Sequence, residues 1–351
     1  MANMAQAIRM ALHFGEENLE VRDIFGEDVG FPLGGVFTAT QGLSTAWSSP
    51  LDERGIVGMA MGIAMAGDRC VAEIQFCDYI FNTIDLLKMA GNTLWCSNGQ
   101  YPMPLVVMTP VGAGIRGSVY HSHSFDAWSS RLPGWKVVMP STPLDAYGLM
   151  LSAIQDGNPV LFLKPKALMR IRGEELIPGE PDNEKELKSM IDAPLGDRSS
   201  WRPRWPELEE YLVPIGKGKI TRSGDQLTLV SYGRHLLLCN EVADELKQEG
   251  CSIEVIDLRS IYPYDWSMLK TSIAKTGRVV FVNEDTEVTN FAEHLVYRCV
   301  QELFYQLLAR PRVVAAKNLP GIGLHPSLEE NTVPQKTDIL SAVREVLSEI
   351  P

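Results

Sequence analysis

The feature that most constrains this chain is Pro104-Leu105-Val106-Val107-Met108-Thr109, an uncharged run rich in valine. Such a run reads as a strand buried on both faces, which a parallel sheet covered by helices on either side provides. Trp135 to Met139 and Pro159 to Leu163 repeat the pattern around a predicted helix from Leu144 to Asp156. Upstream, predicted helices at Ala5 to Glu17, from after Pro50 to Gly67 and at Ile80 to Cys96 alternate with strands at Leu19 to Phe25 and Arg69 to Phe76. Strand and helix in strict alternation predict a doubly wound α/β domain.

With 351 residues the chain exceeds one ordinary core, so two domains are expected. The texture changes after Arg170. Pro178-Gly179-Glu180-Pro181 and Trp201-Arg202-Pro203-Arg204-Trp205-Pro206 cannot continue regular elements, and one short helix near Glu184 to Ile191 is expected between them. The two tryptophans are expected on a domain or subunit surface. Alternation then resumes, with strands at Gln226 to Ser231, Ser252 to Leu258, Arg278 to Asn283 and Arg312 to Ala316. Helices fall at Leu236 to Glu249, Trp266 to Lys275, Phe291 to Ala309 and Thr337 to Glu349. The division is a larger α/β domain with its trailing connection over 1–200 and a smaller parallel-sheet domain over 201–351.

Composition removes several function classes. A net charge of −12 argues against a nucleic-acid partner, which needs basic surface. No stretch is long and apolar enough to span a bilayer, so no membrane role is expected. The six cysteines show no C-x-x-C spacing and no Cys/His cluster, the usage of a reducing compartment. The N-terminal helix carries Glu16 and Glu17 and resembles neither a secretory signal nor an acid-poor transit peptide.

Four stretches could carry chemistry. In Ser48 to Gly67, Pro50 keeps Ser49 out of the helical region, and Asp52 and Glu53 fall at the first turn, where the helix dipole favours a carboxylate. The uncharged helix that follows, with Gly58, Gly62 and Ala66, is expected to be enclosed on every side. Taken alone, the two acids read equally well as caps. Ala72 to Phe81 reads as a strand running into aromatics, in which Gln75 and Tyr79 need polar partners if buried. Gly112-Ala113-Gly114-Ile115-Arg116-Gly117 matches G-x-G-x-x-G, but the next strand ends in Pro140-Ser141-Thr142 rather than an acid. Nicotinamide binding is therefore disfavoured, and a bent loop near a ligand is expected. That loop leads to Tyr120-His121-Ser122-His123, beyond the carboxyl end of a buried strand. Sheets of this kind place their sites there, although a lone histidine can equally be structural.

Together these stretches resemble the β subunit of the thiamine-diphosphate-dependent 2-oxoacid dehydrogenases. The resemblance runs through Phe25-Gly26-Glu27-Asp28-Val29-Gly30, Pro50-Leu51-Asp52-Glu53, Ala72 to Phe81, Tyr120-His121-Ser122 and Pro133 to Val138. It continues through Val255 to Ile261 and Pro334-Gln335-Lys336. Ala72 to Phe81 is most similar to the branched-chain member. The resemblance implies two transketolase-like domains, a pyrimidine-binding one and a C-terminal one. It implies that Glu53 shares a proton with the aminopyrimidine ring of thiamine diphosphate, and that Leu51, Gln75 and Tyr79 shape the pocket. It makes His121 the active-site histidine facing the substrate and the incoming lipoyl group. His123 stands where the family has glutamine, and the segment from Asp182 to Glu210 is longer than the family's.

Enzymes of this type hold the diphosphate and magnesium with a Gly-Asp-Gly stretch, which this chain lacks. The resemblance therefore implies a partner α subunit holding magnesium in an α2β2 tetramer, together with a lipoyl-bearing acyltransferase core. It also implies a potassium ion on oxygens of Met103, Leu105, Val106, Ala153, Asp156 and Asn158. The alternative is that Asp156 and Asn158 only end a helix. The rivals are a pyruvate or acetoin dehydrogenase, a self-sufficient transketolase-like enzyme and a non-catalytic assembly subunit. The expected location is the bacterial cytoplasm or, after processing, the mitochondrial matrix.

Overall fold

The structure, a computed structural model, describes residues 1–350. The chain forms two compact units, Met1–Pro110 with Arg131–Ile215, and Val111–Ser130 with Gly216–Pro351. In the first unit the strands run in the order Lys136–Val138, Val160–Pro165, Leu105–Val111, Arg69–Glu73, Val21–Gly26, Ala46–Ser48. The pairings recorded among them are parallel, as alternation with helices requires. Leu105–Val111 is buried at every residue, as its valine-rich composition predicts.

The helices that cover this sheet start where local chemistry sets them. Asn3 caps Met4–Asn18 by accepting from the Gln6 N–H, while the Gln6 side chain accepts from the Asn3 N–H. Thr142 caps Pro143–Gln155, whose proline fills a position that needs no N–H. Glu53–Ala66 ends at Gly67, at φ 101°, a conformation that favours glycine. Two buried charges sit under this layer. Lys164 Nζ pairs with Glu73 Oε2, both side chains being fully buried, and Glu73 Oε1 accepts from the Val36 N–H at 2.8 Å.

One expectation fails here. The helix Glu53–Ala66 is not enclosed on every side. Ile56, Val57, Ala60, Met61 and Ala64 are buried, whereas Gly58, Gly62 and Ala66 lie at the surface with Met59 and Met65, 41% and 58% exposed. The sheet covers one side of the helix only, and an all-apolar composition carries no information about which side that is. The predicted helix from Ile80 to Cys96 is also divided, into a 3-10 turn Cys77–Thr83 and an α-helix Ile84–Cys96.

The connecting segment lies along the first unit. Its expected helix is Glu184–Ile191. Trp205 stacks on His13 with centroids 4.1 Å apart. The buried Tyr147 donates to the Glu209 carbonyl at 2.8 Å, and Ser152 donates to that of Val213 at 2.7 Å. Gly148 is required there, since a Cβ would stand 2.6 Å from the Val213 side chain.

In the second unit five strands run Arg312–Ala316, Val279–Thr286, Leu227–Ser231, Ile253–Asp257, Lys219–Arg222. Four are parallel. Lys219–Arg222, which has no counterpart among the strands expected from the sequence, pairs antiparallel with Ile253–Asp257, so the sheet is mostly parallel with one antiparallel edge. It is short, half exposed and at the edge, so no hydrophobic pattern announces it. Leu236, Val242 and Leu246 of one helix and Ile339, Val343 and Val346 of another cover the sheet. No helix among the described residues is long and apolar enough to cross a membrane.

Candidate active site

The first unit gathers carboxylates where its strands give way to loops. Asp52 adopts extended backbone, φ −160°, and leaves Glu53 as the acid in the first turn. Arg54 turns aside to a two-pronged pair with Asp85 at 2.6 and 3.0 Å and to the Asn82 carbonyl at 2.9 Å. Asn82 in turn donates its side-chain N–H to Glu53 Oε2 at 3.1 Å. The segment Cys77–Thr83 thus fixes the helix start and its acid together.

Two more acids belong to this cluster, and in the sequence they stand out only as members of a motif. Glu27 is buried, and its Oε1 has no hydrogen-bond partner. Burial, then the charges of Glu53 and Asp28, pushes its carboxyl above the usual range. Gln75 donates to Asp28 Oδ2 at 3.1 Å. The Tyr79 phenol is pushed up by burial and then by Asp78, Glu53 and Glu27. Tyr79 meets Phe76 edge to face at 6.2 Å, and Leu51 is 80% exposed. The structure therefore brings Glu53, Gln75 and Tyr79 to one acid cluster. The available signal for Glu27 and Asp28 was an acid pair after a strand, with Asp28 itself at φ 58°.

The residues expected around potassium sit elsewhere in this unit. Met103, Leu105 and Val106 are buried, and the Met103 carbonyl accepts from the Leu105 N–H at 2.8 Å. Asp156 follows the helix Pro143–Gln155, and its N–H donates to the Ala153 carbonyl at 3.3 Å. Asp156 Oδ1 accepts from the Asn158 N–H at 2.9 Å, and Oδ2 pairs with Lys136 Nζ.

His121 stands in the second unit, on a loop of unusual backbone. Arg116 and Ser118 have φ 57° and 65° on either side of Gly117. A Cβ on Gly117 would lie 2.7 Å from that of His121. The His121 N–H donates to the Ser118 carbonyl at 3.2 Å. Its Nδ1 lies 3.1 Å from the Gly117 carbonyl. A carbonyl only accepts, so Nδ1 carries a hydrogen toward it. His123 is oriented differently. Its ring stacks on Phe125 at 5.8 Å, and it lines a cavity of about 260 Å³ with Phe125, Trp128, Asp285 and Lys317.

Beneath this loop lies a second group of acids. The Tyr232 hydroxyl donates to Asp126 Oδ2 at 2.8 Å, and Asp126 Oδ1 has no partner. Burial, then the Asp285 charge, drives the Asp126 carboxyl well above the usual range. Burial raises Asp285 as well, although the Ala127 and Thr286 N–H groups donate to it at 3.1 and 2.8 Å. Burial also lowers His235, against the pull of Glu284. Sequence reasoning finds Asp126 only as a carboxylate near His121 and misses Tyr232, His235 and Asp285, since no local pattern marks them.

Two family models match the chain, the transketolase pyrimidine-binding domain over residues 1–172 and the transketolase C-terminal domain over 216–339. The chain is 34% identical to the mitochondrial 2-oxoisovalerate dehydrogenase subunit beta 2 of Arabidopsis thaliana, over 99% of this chain and 89% of that one. It is 33% identical to the 2-oxoisovalerate dehydrogenase subunit beta of Bacillus subtilis, over 92% and 91% of the two chains. Against the pyruvate dehydrogenase E1 component subunit beta of the same organism it is 33% identical, over 98% of both. A solved structure described as a split gene transketolase, an inactive beta4 tetramer, covers 99% of this chain with a TM-score of 0.70 at 16% identity, a likeness of fold. On these matches the chain belongs to the 2-oxoacid dehydrogenase β subunits, a thiamine-diphosphate-dependent family built from transketolase pyrimidine-binding and C-terminal domains.

Proposed function

We propose that this chain is the catalytic β subunit of an α2β2 2-oxoacid dehydrogenase, which decarboxylates a branched-chain 2-oxoacid and acylates a lipoyl domain. Its domains on this reading are 1–200 and 201–351. The observation that carries it is the placement of Glu53, held by Asn82 at a helix start among Glu27, Gln75 and Tyr79.

These residues fit the aminopyrimidine half of thiamine diphosphate. A buried glutamate oxygen without a partner, a helix-terminal carboxylate and an exposed leucine suit a flat ring edged with nitrogen donors and acceptors. When bound, the coenzyme supplies the nucleophilic carbon and the electron sink for decarboxylation. The chain's own task is to tune and orient. Glu53 holds a proton at the ring nitrogen, and its position is kept by Asn82. Glu27, whose carboxyl is pushed upward by burial and then by Glu53 and Asp28, takes up a proton more readily than an exposed glutamate would. Leu51 and Tyr79 cover the ring and exclude water. His121, held through Nδ1, acts in its protonated form and gives its other ring proton to a lipoyl sulfur as the disulfide opens. That sulfur leaves as a thiol while the other takes the acyl group.

Magnesium would be held by the α subunit, since this chain has no Gly-Asp-Gly. Potassium at Met103, Leu105, Val106, Ala153, Asp156 and Asn158 is a subordinate part of the proposal. The cation would compete with the Lys136 ammonium for Asp156. A pyruvate substrate is the second reading, favoured by the 33% identity to a pyruvate dehydrogenase subunit. Bacterial and mitochondrial relatives fit the cytoplasm and the mitochondrial matrix alike.

The test is co-expression with an α-type partner, followed by assay over branched-chain 2-oxoacids and pyruvate and of lipoyl-domain acylation. Thiamine diphosphate bound to the complex and branched-chain turnover are expected. Tight magnesium-dependent binding of the coenzyme by the chain alone would overturn the two-subunit reading.

A further inference from the structure

The loop that carries His121 is held in an unfavourable backbone conformation by groups far along the chain. Arg116 and Ser118 both occupy the left-handed region, which costs a non-glycine residue on the order of 1 kcal/mol and persists only where the surroundings enforce it. Two glutamates and an apolar contact do the enforcing. Glu329, on the short helix Pro326–Thr332, accepts from the Gly114 N–H at 3.2 Å and from the Arg116 N–H at 3.3 Å, both through Oε2. Glu284 accepts from the Ala113 N–H. Its carboxylate also crowds Gly112, where a Cβ would stand 2.8 Å from Oε1 at φ 82°. Apolar contacts finish the anchorage, with Ala113 buried against Ala316, Ile322 and Val333. Glu329 is only 8% exposed, so its carboxylate gives up solvation to take these two N–H groups.

We infer that Glu329 is a positioning residue, with Glu284 as its second point of hold, that keeps residues 113–118 in the conformation presenting His121 for proton transfer. The link to His121 is short and specific. Arg116, whose N–H is held by Glu329, precedes Gly117, whose carbonyl fixes the His121 ring through Nδ1. Releasing the Glu329 bonds frees Arg116 and Ser118 to leave the left-handed region. The Gly117 carbonyl then turns, and the imidazole loses its orientation. Neither glutamate has to touch substrate or cofactor for this. The role rests on the proposed function only for the reaction that His121 serves, while the hold on the loop is independent of it.

The experiment compares wild type, Glu329→Ala, Glu329→Gln and His121→Ala in the assembled α2β2 enzyme. Two readouts are amide hydrogen exchange over residues 112–122 and the rates of lipoyl-domain acylation and of decarboxylation with an artificial electron acceptor. Glu329→Ala should speed exchange in that segment roughly tenfold, the scale of two lost hydrogen bonds and released strain. It should also cut lipoyl acylation about as much, with KM for the 2-oxoacid unchanged. Glu329→Gln keeps an acceptor oxygen and should restore most of both, even if the alanine variant assembles poorly. Unchanged exchange in Glu329→Ala, or a glutamine variant as loose as the alanine one, overturns the hold. Faster exchange with wild-type acylation overturns its service to catalysis. Full acylation by His121→Ala would instead remove the proposed role of the histidine, while the exchange rates would still decide for or against the hold by Glu329.

Discussion

Glu53 and His121 are the two catalytic candidates, and the chain positions them by opposite means. Glu53 stands on the first turn of a helix set by Pro50 and Asp52, and its partner Asn82 lies 29 residues away. His121 stands on a loop whose backbone is held by Glu284 and Glu329, 171 and 215 residues from the amides they accept. A group on a regular element inherits its direction from that element. A group on a strained loop has no such inheritance, and distant side chains must impose its direction. The first arrangement depends on its own helix and on the one nearby segment that carries Asn82, whereas the second depends on a remote part of the sequence.

The comparison can be broken most directly at Glu53. Glu53→Gln should lower proton exchange at the reactive carbon of bound thiamine diphosphate by roughly 10²- to 10⁴-fold, while the complex still assembles. Proton exchange followed by NMR reads this, and a wild-type rate would return Glu53 to a capping role.

The support beneath the first region is next in size. Lys164→Met strands the buried Glu73 carboxylate and should cost about 3–5 kcal/mol of stability. The double change with Glu73→Gln should recover much of it, because no buried charge then remains. Denaturant unfolding of the single and double variants checks this, and a loss of under about 1 kcal/mol in Lys164→Met would show the pair to be dispensable.

His121→Ala should reduce lipoyl acylation by roughly 10²-fold and decarboxylation to an artificial acceptor far less. His123→Ala should not reproduce that asymmetry, since its ring packs on Phe125 and faces the cavity. The two rates measured on the same preparations decide it.

The smallest expected effect lies under the loop. Asp126 has a folded-state pKa above its unfolded value, so its contribution is most favourable at low pH and is lost as pH rises toward the raised value. Asp285 shifts in the same sense. Asp126→Asn removes the first of these losses. Relative to wild type, its Tm should therefore be more favourable at pH 8 than at pH 5, by a few degrees. A Tm difference that is flat over this range would remove Asp126 as the source.

What the sequence made legible follows the same division. The buried strand Leu105–Val111 and the covering helices were readable because composition and periodicity are local properties. The helix start at Glu53 was readable because a proline and two acids mark it, whereas the role given to Glu53 came only from the family resemblance. Glu27 was visible only as a motif member, since its burial beside Glu53 depends on how the Val21–Gly26 strand packs. Glu329 was not readable at all. It lies in a seven-residue helix without periodic signal, and its two amide partners are more than 200 positions away. The exposed side of Glu53–Ala66 was misread for a related reason, because an apolar helix does not say which neighbour covers it.

The chain passes between its two units three times, after Pro110, Ser130 and Ile215. A single cut therefore cannot divide it into two self-sufficient pieces. By composition alone, the proline-punctuated stretch before Gly216 is the natural place to sever the polypeptide. Yet a polypeptide beginning at Gly216 would lack the segment 111–130. It would carry Glu284, Asp285 and Glu329 without the backbone amides of Ala113, Ala127, Gly114 and Arg116, and Tyr232 without the Asp126 carboxylate. Ala316, Ile322 and Val333 would likewise face solvent where Ala113 had packed. Such a fragment should aggregate when produced alone and recover solubility when residues 111–130 are returned to it, so the boundary before Gly216 does not release the second unit as a self-sufficient piece.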